Sequence, residues 1–329
     1  MLFDNHNRPI NYLRLAVTDR CNLRCFYCMP EEGIRYVPKK ELLSFEEIER
    51  LVRLAAGLGI SKVRITGGEP FVRNDLMKLL TVLVEISGID QIHLTTNGVL
   101  TAPHVSALKS LGIASVNLSL DTLDRDRFKV ITRRDEFARV WETFEALLAH
   151  EIPVKINAVV MEGKNTEDIL TLAALTKQYP VSVRFIEEMP FNGEGVHYPV
   201  LNWTHAKILD SLKTAFPTLR RKQDPPNSTA YHYEIPGYSG DLGIIAAFSR
   251  TFCGTCNRIR ITAQGELKTC LYDQGVLSIR DLIRSGKSDD ELKTSLLTAF
   301  AHRPKDGFEA ESTRSLNAPL KESMSTIGG

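Results

Sequence analysis

The 329-residue chain is 43% hydrophobic and 25% charged, so it has the apolar material for a sizeable core, which excludes both a disordered chain and a small stapled fold. With 21 glycines, 15 prolines and a formal net charge of +1 it is neither collagenous nor broadly attractive to nucleic acid or anionic membrane, so any anion must be caught by a local cluster. The opening Met1-Leu2-Phe3-Asp4-Asn5 has no basic or apolar leader pattern, and no apolar run approaches the roughly 18 residues that span a bilayer, so a cytoplasmic protein with no membrane or nucleic-acid partner is expected.

In chain order, residues 12–18 read as a strand and 44–58 as a helix opened by a capping box of Ser44 and Glu47. A strand at 62–66, a helix at 75–86, a strand at 91–95 and a helix at 103–111 follow. Next come a strand at 115–120, a helix from about 136 to 149 and a strand at 154–160. Asn165 is expected to cap a helix running to about 178, and 181–186 forms a sixth strand. This alternation argues for a parallel α/β sheet that can curl into a partial barrel. After Pro190 the pattern breaks into segments punctuated by glycine and proline, among them Asp224-Pro225-Pro226-Asn227, and the strands become short and mixed. The boundary is placed at 222/223, with a core over 1–222 and a second domain over 223–329.

The six cysteines form two trios, Cys21, Cys25 and Cys28, and Cys253, Cys256 and Cys270. Without a secretion signal, metal ligation is a better reading than a disulfide framework. A closed zinc site, or a cluster held by protein alone, asks for four ligands. Three thiolates leave one metal position open to a small molecule. A zinc ribbon drawn from both trios, or buried structural thiols, are the alternatives. Cys21 lies just beyond the first strand, at the carboxyl edge where parallel α/β proteins carry their chemistry. The second strand ends at that edge in Gly67-Gly68-Glu69-Pro70, whose glycines allow close backbone approach and whose Glu69 can accept from an amine.

Four strand cations sit between apolar neighbours: Arg14, Arg64, Lys155 and Arg184. Side chains alternate faces along a strand, so each cation points away from those neighbours, and a buried charge needs an anion. Arg184 has Glu187 and Glu188 close in sequence and is expected to pair with a carboxylate. The other three are expected to converge in the lumen of a curled sheet, joined by Arg258 and Arg260 from a strand after Cys256. Such a set suits a polyphosphate.

The run Cys21-Asn-Leu-Arg-Cys25-Phe-Tyr27-Cys28-Met-Pro resembles the cluster loop of radical S-adenosylmethionine enzymes. Gly67-Gly68-Glu69-Pro70, Thr95-Thr96-Asn97-Gly98 and Asn117-Leu-Ser119-Leu-Asp121-Thr122 extend the likeness. Together with Phe252-Cys253-Gly-Thr-Cys256-Asn-Arg258-Ile-Arg260, Cys270 and the final Gly328-Gly329, they make the chain similar to the GTP 3′,8-cyclases of molybdenum-cofactor biosynthesis. The likeness covers nearly the full chain and is weak at about 192–250 and in the tail before Ser323.

That resemblance implies an incomplete (β/α)6 TIM-like barrel whose open side is closed by a C-terminal α+β extension. It implies two 4Fe-4S clusters, one on Cys21, Cys25 and Cys28 and one on Cys253, Cys256 and Cys270. The first would bind S-adenosylmethionine, contacted by Tyr27, Gly68, Ser119 and Met189, and yield a 5′-deoxyadenosyl radical that takes the ribose C3′ hydrogen of GTP before C3′ bonds to C8. Arg14, Arg64, Thr95, Lys155, Arg258, Ile259 and Arg260 would bind GTP. Catalytic roles would fall to the first trio, Arg258, Arg260, Gly328 and Gly329, with Ile327 anchoring a tail that reaches inward. An electron donor of unknown identity, a downstream cyclic pyranopterin monophosphate synthase and a homodimer are the implied partners. A radical enzyme acting on peptides would call for more auxiliary cysteines, and a non-catalytic iron-sulfur sensor would have no use for the inward cations.

Overall fold

The computed structural model of the chain describes residues 2–191, 201–313 and 322–328. Six strands build its first half: β1 (Tyr12–Ala16), β2 (Lys62–Thr66), β3 (Gln91–Thr96), β4 (Ser115–Ser119), β5 (Val154–Val160) and β6 (Ser182–Glu187). Between them run α1 (Phe45–Gly57), α2 (Leu76–Val84), α3 (Val105–Ser110), α4 (Arg125–Thr132), α5 (Phe137–Ala149) and α6 (Asp168–Gln178). Each strand pairs in parallel with the one before it.

The second half begins with α7 (His205–Ala215) and the strands β7 (Arg220–Arg221), β8 (Ala230–Glu234) and β9 (Asp241–Ile245). It continues with β10 (Arg258–Ile261), β11 (Glu266–Lys268) and β12 (Leu277–Ser278). These strands do not form a sheet of their own. β9 adds in parallel to β6 and β10 adds in parallel to β1, so the parallel run is β10-β1-β2-β3-β4-β5-β6-β9. Antiparallel β8 and β7 extend one end and antiparallel β11 and β12 the other. The sheet is therefore an incomplete barrel, not closed by hydrogen bonds, with C-terminal strands on both sides of the opening.

Strand alternation explains why this sheet has an apolar outside and a polar inside. Along β5, Val154, Ile156, Ala158 and Val160 are buried while Lys155 and Asn157 turn the other way. Leu13, Leu15, Val63, Ile65, Ile156, Val183 and Ile259 enter one continuous core with the helices. Each such side chain contributes about 1.5–3 kcal/mol by leaving water. In α1 the Ser44 and Glu47 capping box forms as expected, and Ile48, Leu51, Val52 and Ala55 face that core. Among the described residues no helix is long and apolar enough to cross a membrane.

Two local expectations differ. Asn165 does not cap α6, which begins at Asp168. Its side chain instead accepts from the Met161 N–H and donates to the carbonyls of Asp121 and Val159, tying two strand ends together. Helix α4 was not anticipated. It starts on Asp124, whose carboxylate accepts the Arg127 N–H, and buries Phe128 and Ile131.

Candidate active site

The loop carrying the first cysteine trio leaves β1 alongside the loop that leaves β2. Val17 N–H bonds Thr66 O, Gly68 N–H bonds Thr18 O, and Glu69 N–H bonds Arg20 O, at 2.9, 2.9 and 2.8 Å. The loops run so close that a Cβ on Gly67 would lie 2.5 Å from Thr18 O, and one on Gly68 would lie 2.3 Å from Arg20 O. This contact delivers the chain directly to Cys21. Glu69 is fully enclosed, and its oxygens accept from Thr96 Oγ1 at 2.8 Å, Asn97 N at 2.6 Å and Phe71 N at 3.1 Å. It works as a clip between the β2 and β3 loops, held by these protein donors. Asn97 then donates Nδ2 to Cys21 Sγ at 3.6 Å and to Asn22 Oδ1 at 2.7 Å. From the other side, Arg24 N–H and Phe26 N–H bond the carbonyls of Thr132 and Ile131 at the end of α4. The unanticipated helix thus holds Cys25 in place.

Tyr27 donates its hydroxyl to Asp121 Oδ2 at 2.9 Å, while Asp121 Oδ1 accepts the Val159 N–H. Ser119 lies half-buried at the end of β4. Met189 is half-buried against Phe191, Tyr272 and Ile327 and lines the adjoining cavity. Burial pushes the Cys21 thiol up to about 12 and the Cys28 thiol up to about 11. Burial, with Asp121 nearby, also pushes Cys25 well above its ordinary range.

Inside the barrel opens a cavity of about 340 Å³. Arg14, Lys62, Arg64, Lys155, Arg184, Arg258 and Arg260 line it, together with Cys253, Cys256 and Cys270. Arg64 is fixed by donating Nε to Tyr12 Oη at 2.6 Å and Nη1 to Leu94 O at 2.8 Å, with Thr95 Oγ1 at 3.4 Å. Arg14 Nε, Arg184 Nε and Arg258 Nη2 are buried with no hydrogen-bond partner. Burial and then Arg184, Arg64 and Lys62 depress Lys155 to about 8, as cations crowded without an anion require. Ile259 differs from its neighbours: its side chain packs in the core on the opposite face, leaving only its backbone near the cavity.

Glu187 is not the carboxylate that meets Arg184. Glu187, three residues on, points to the opposite face of β6 and accepts from His205 N, Phe248 N, Ser249 N and Ser249 Oγ. Arg184 lines the cavity with the other cations, and Asp241 is the carboxylate that acts on it electrostatically.

The second trio is organised by its own charges. Cys253 and Cys256 flank a tight turn, with Cys256 N–H on Cys253 O at 3.2 Å. Asp273 Oδ2 gathers Thr269 N, Thr269 Oγ1 and Cys270 N, which fixes the third cysteine. Burial opposes a thiolate at Cys256, yet Arg258 and Arg303 draw it down to about 6. Burial holds Cys270 up at about 12. Arg303 also donates to Cys256 O and Arg258 O while pairing with Asp4 at 3.1 Å.

A segment at 322–328 joins the two trios. Buried Lys268 grips Glu322 at 2.8 Å, and Ser323 Oγ donates to Cys28 O at 2.6 Å. Ile327 is 2% exposed in an apolar cluster with Phe191, Tyr272 and Ala310. Arg260 Nη1 then donates to Gly328 O at 2.6 Å. At φ +77° a Cβ on Gly328 would lie 3.0 Å from Thr66 Cγ2, so the position calls for glycine. Gly329 lies outside the described residues.

Sequence reasoning did not single out Tyr12, Lys62, Arg303, Asp273 or Ser323. Lys62 opens its strand and lacks the flanking apolar pair that marked the other cations; Tyr12, Arg303 and Ser323 act through partners distant in sequence, and Asp273 acts through nearby Thr269 and Cys270. The donor sets fit iron-sulfur chemistry. All six cysteines are free thiols, and burial resists ionising most of them until a cationic group arrives. Three thiols in each set would leave one position of a four-iron cluster open.

The chain matches the Radical SAM superfamily over residues 15–176 and the family described as Molybdenum Cofactor Synthesis C over residues 181–309. It is 43% identical over 331 residues to GTP 3′,8-cyclase of Desulforamulus reducens, with 100% of each chain covered. It is also 43% identical over 292 residues to molybdenum cofactor biosynthesis protein 1 of Homo sapiens, covering 88% of this chain and 46% of that one. SuiB of Streptococcus suis, solved with S-adenosylmethionine, shares the fold at a TM-score of 0.63 and 17% identity, over 96% of this chain and 73% of SuiB. The sequence and its paired cysteine loops therefore belong to the GTP 3′,8-cyclase family of radical S-adenosylmethionine enzymes.

Proposed function

We propose that this chain cyclises GTP to 3′,8-cyclo-7,8-dihydroguanosine 5′-triphosphate, the first step of molybdenum-cofactor biosynthesis. The observation that carries the reading is the meeting, in one cavity, of the second cysteine trio and a set of cations with unpartnered buried nitrogens. That pairing suits a nucleotide whose triphosphate lies on arginine and lysine while its base faces the thiol loop. Cys21, Cys25 and Cys28 would hold one 4Fe-4S cluster, and Cys253, Cys256 and Cys270 a second. Tyr27, Gly68, Ser119 and Met189 would contact S-adenosylmethionine. When bound, these groups supply the one-electron chemistry that removes the ribose C3′ hydrogen and lets C3′ join C8.

The chain's own residues bind, orient and enclose. Arg14, Arg64, Lys155, Arg258 and Arg260 neutralise the triphosphate, Thr95 supports Arg64, and Ile259 contributes backbone. The 322–328 segment covers the path between the trios and brings Gly328 to Arg260. On this reading the 1–222 core carries the S-adenosylmethionine site and the Arg14, Arg64 and Lys155 part of the nucleotide site, and 223–329 carries the second cysteine trio with Arg258 and Arg260. An external electron donor, a cytoplasmic setting and a downstream cyclic pyranopterin monophosphate synthase complete the picture. The test is anaerobic incubation of the reconstituted protein with S-adenosylmethionine, reductant and each nucleoside triphosphate in turn. Formation of 5′-deoxyadenosine should depend on GTP. Equal formation with all four would overturn the reading.

A further inference from the structure

The register of three neighbouring strands arranges the cavity wall as two rows. Tyr12 on β1 stands beside Lys62 on β2 and Arg258 on β10, and Arg14 stands beside Arg64 and Arg260. Residues two apart on a strand share a face, so all six side chains point into the same cavity. Five are cations and one is a phenol, placed between two of the cations. Its oxygen accepts from Arg64 Nε at 2.6 Å, and Lys62 Nζ stands 4.9 Å from its ring centroid. The bond from Arg64 uses a lone pair and leaves the hydroxyl's own proton for the cavity.

We propose that Tyr12 is a nucleotide-binding and positioning residue that orients Arg64 and donates its hydroxyl proton to a phosphate oxygen of the bound nucleotide. The proposal rests on the nucleotide reading above and adds a residue to it. Five like charges on adjacent strands repel, and a phenol is the one member of the array that can accept a hydrogen bond or carry negative charge. Arg14 Nε and Arg258 Nη2 lie buried beside it without partners, so the array is incomplete until an anion enters.

The same geometry makes binding proton-linked. Burial pushes the phenol up, but Arg64, Arg14 and Lys62 outweigh burial and bring it down to about 7. The charged groups that share the cavity wall with it include Arg14 on β1, Lys62 and Arg64 on β2, Lys155 on β5, Arg184 on β6, and Arg258 and Arg260 on β10, with Asp306 a carboxylate lining the same cavity. A polyphosphate occupies those cations and removes their pull. Above pH 7 the phenolate then takes a proton from solvent and shares it with the phosphate.

The experiment is calorimetric titration of GTP into the anaerobically reconstituted protein, in two buffers of different ionisation enthalpy, for wild type and Tyr12→Phe. At pH 8 wild type should take up nearly one proton more per GTP than the variant, with the excess fading towards pH 6. Loss of one hydrogen bond to a charged group should weaken the variant's GTP binding about tenfold. A tyrosine that merely packs would change affinity without changing the proton count. Equal proton counts in the two proteins overturn the proposal while leaving the nucleotide reading standing. Wild-type protein that binds no nucleoside triphosphate brings both down. Should Tyr12→Phe not fold, the wild-type profile decides alone: uptake that does not rise between pH 6 and pH 8 contradicts the proposal.

Discussion

Around Cys21 and Cys25 the nearby charged groups are the carboxyls of Glu69 and Asp121, whereas around Cys256 they are the guanidiniums of Arg258 and Arg303. Burial holds the first trio's thiols protonated, and in the second trio the arginines draw one thiol down to about 6. The first loop is held by backbone: ladder bonds to the β2 loop, the carbonyls ending α4, and Asn97 on Cys21. The second is held by side-chain charge, through Asp273 and Arg303. Three cysteines on a loop are thus set in a frame of carboxyls at the first seat and in a frame of mixed charge at the second, where arginines draw Cys256 while Asp306 and Asp273 stand near Cys253 and Cys270. On the proposed function the first seat would serve S-adenosylmethionine cleavage and the second the nucleotide.

The sharpest way to break that contrast is to remove each trio in turn. With Cys21, Cys25 and Cys28 changed together to alanine, iron content should halve and S-adenosylmethionine cleavage should stop. With Cys253, Cys256 and Cys270 changed instead, the first cluster should remain reducible and uncoupled cleavage should persist, while cyclised product disappears. Iron analysis with chromatography of 5′-deoxyadenosine and product reads both variants. Identical behaviour of the two would show that the seats do not differ.

The segment between the seats should show the next largest effect. Gly328→Ala places a Cβ 3.0 Å from Thr66 Cγ2 at φ +77°. The left-handed backbone alone costs about 1–2 kcal/mol with a side chain, so product formation should fall roughly tenfold while both clusters assemble. Removing Gly328 and Gly329 should likewise spare clusters and GTP affinity and suppress hydrogen abstraction. A truncated protein as active as the full chain would return the tail to a frayed end.

Much of this arrangement was legible because alternation along strands is a local signal. β2 and β5 fall on the expected residues, and Arg14, Arg64, Lys155, Arg258 and Arg260 all reach the cavity. What escaped was non-local. Nothing in residues 241–261 says that their strands insert at opposite ends of the sheet, because that is a choice of partner and not of period. Glu187 lies close to Arg184 in sequence, but a three-residue step along a strand crosses to the other face. Helix α4 is short and charged, so its amphipathic signal is weak, and only Asp124 marks its start.

The smallest expected effects concern the metal-free protein. Burial holds Glu69 at about 7 against an ordinary 4.5, so the stability it lends is present below pH 4.5 and lost as pH rises through 7. Cys256 is drawn by Arg258 and Arg303, against burial, to about 6 from 9, so its contribution is present above pH 9 and lost as pH falls through 6. Thermal melts should show Glu69→Gln losing less stability than wild type between pH 5 and pH 8. Cys256→Ser should lose less between pH 9 and pH 6. Unchanged slopes would mean that the two frames do not differ electrostatically.

The central claim is that both seats act on one nucleotide held by the cation array. It is tested most directly by supplying GTP deuterated at ribose C3′, with S-adenosylmethionine and reductant, to the anaerobically reconstituted protein and recovering the 5′-deoxyadenosine for mass spectrometry. The account predicts that the deuterium is found in 5′-deoxyadenosine and that a cyclised nucleotide accumulates in step with it. Unlabelled 5′-deoxyadenosine, with GTP recovered intact and fully deuterated, would contradict it.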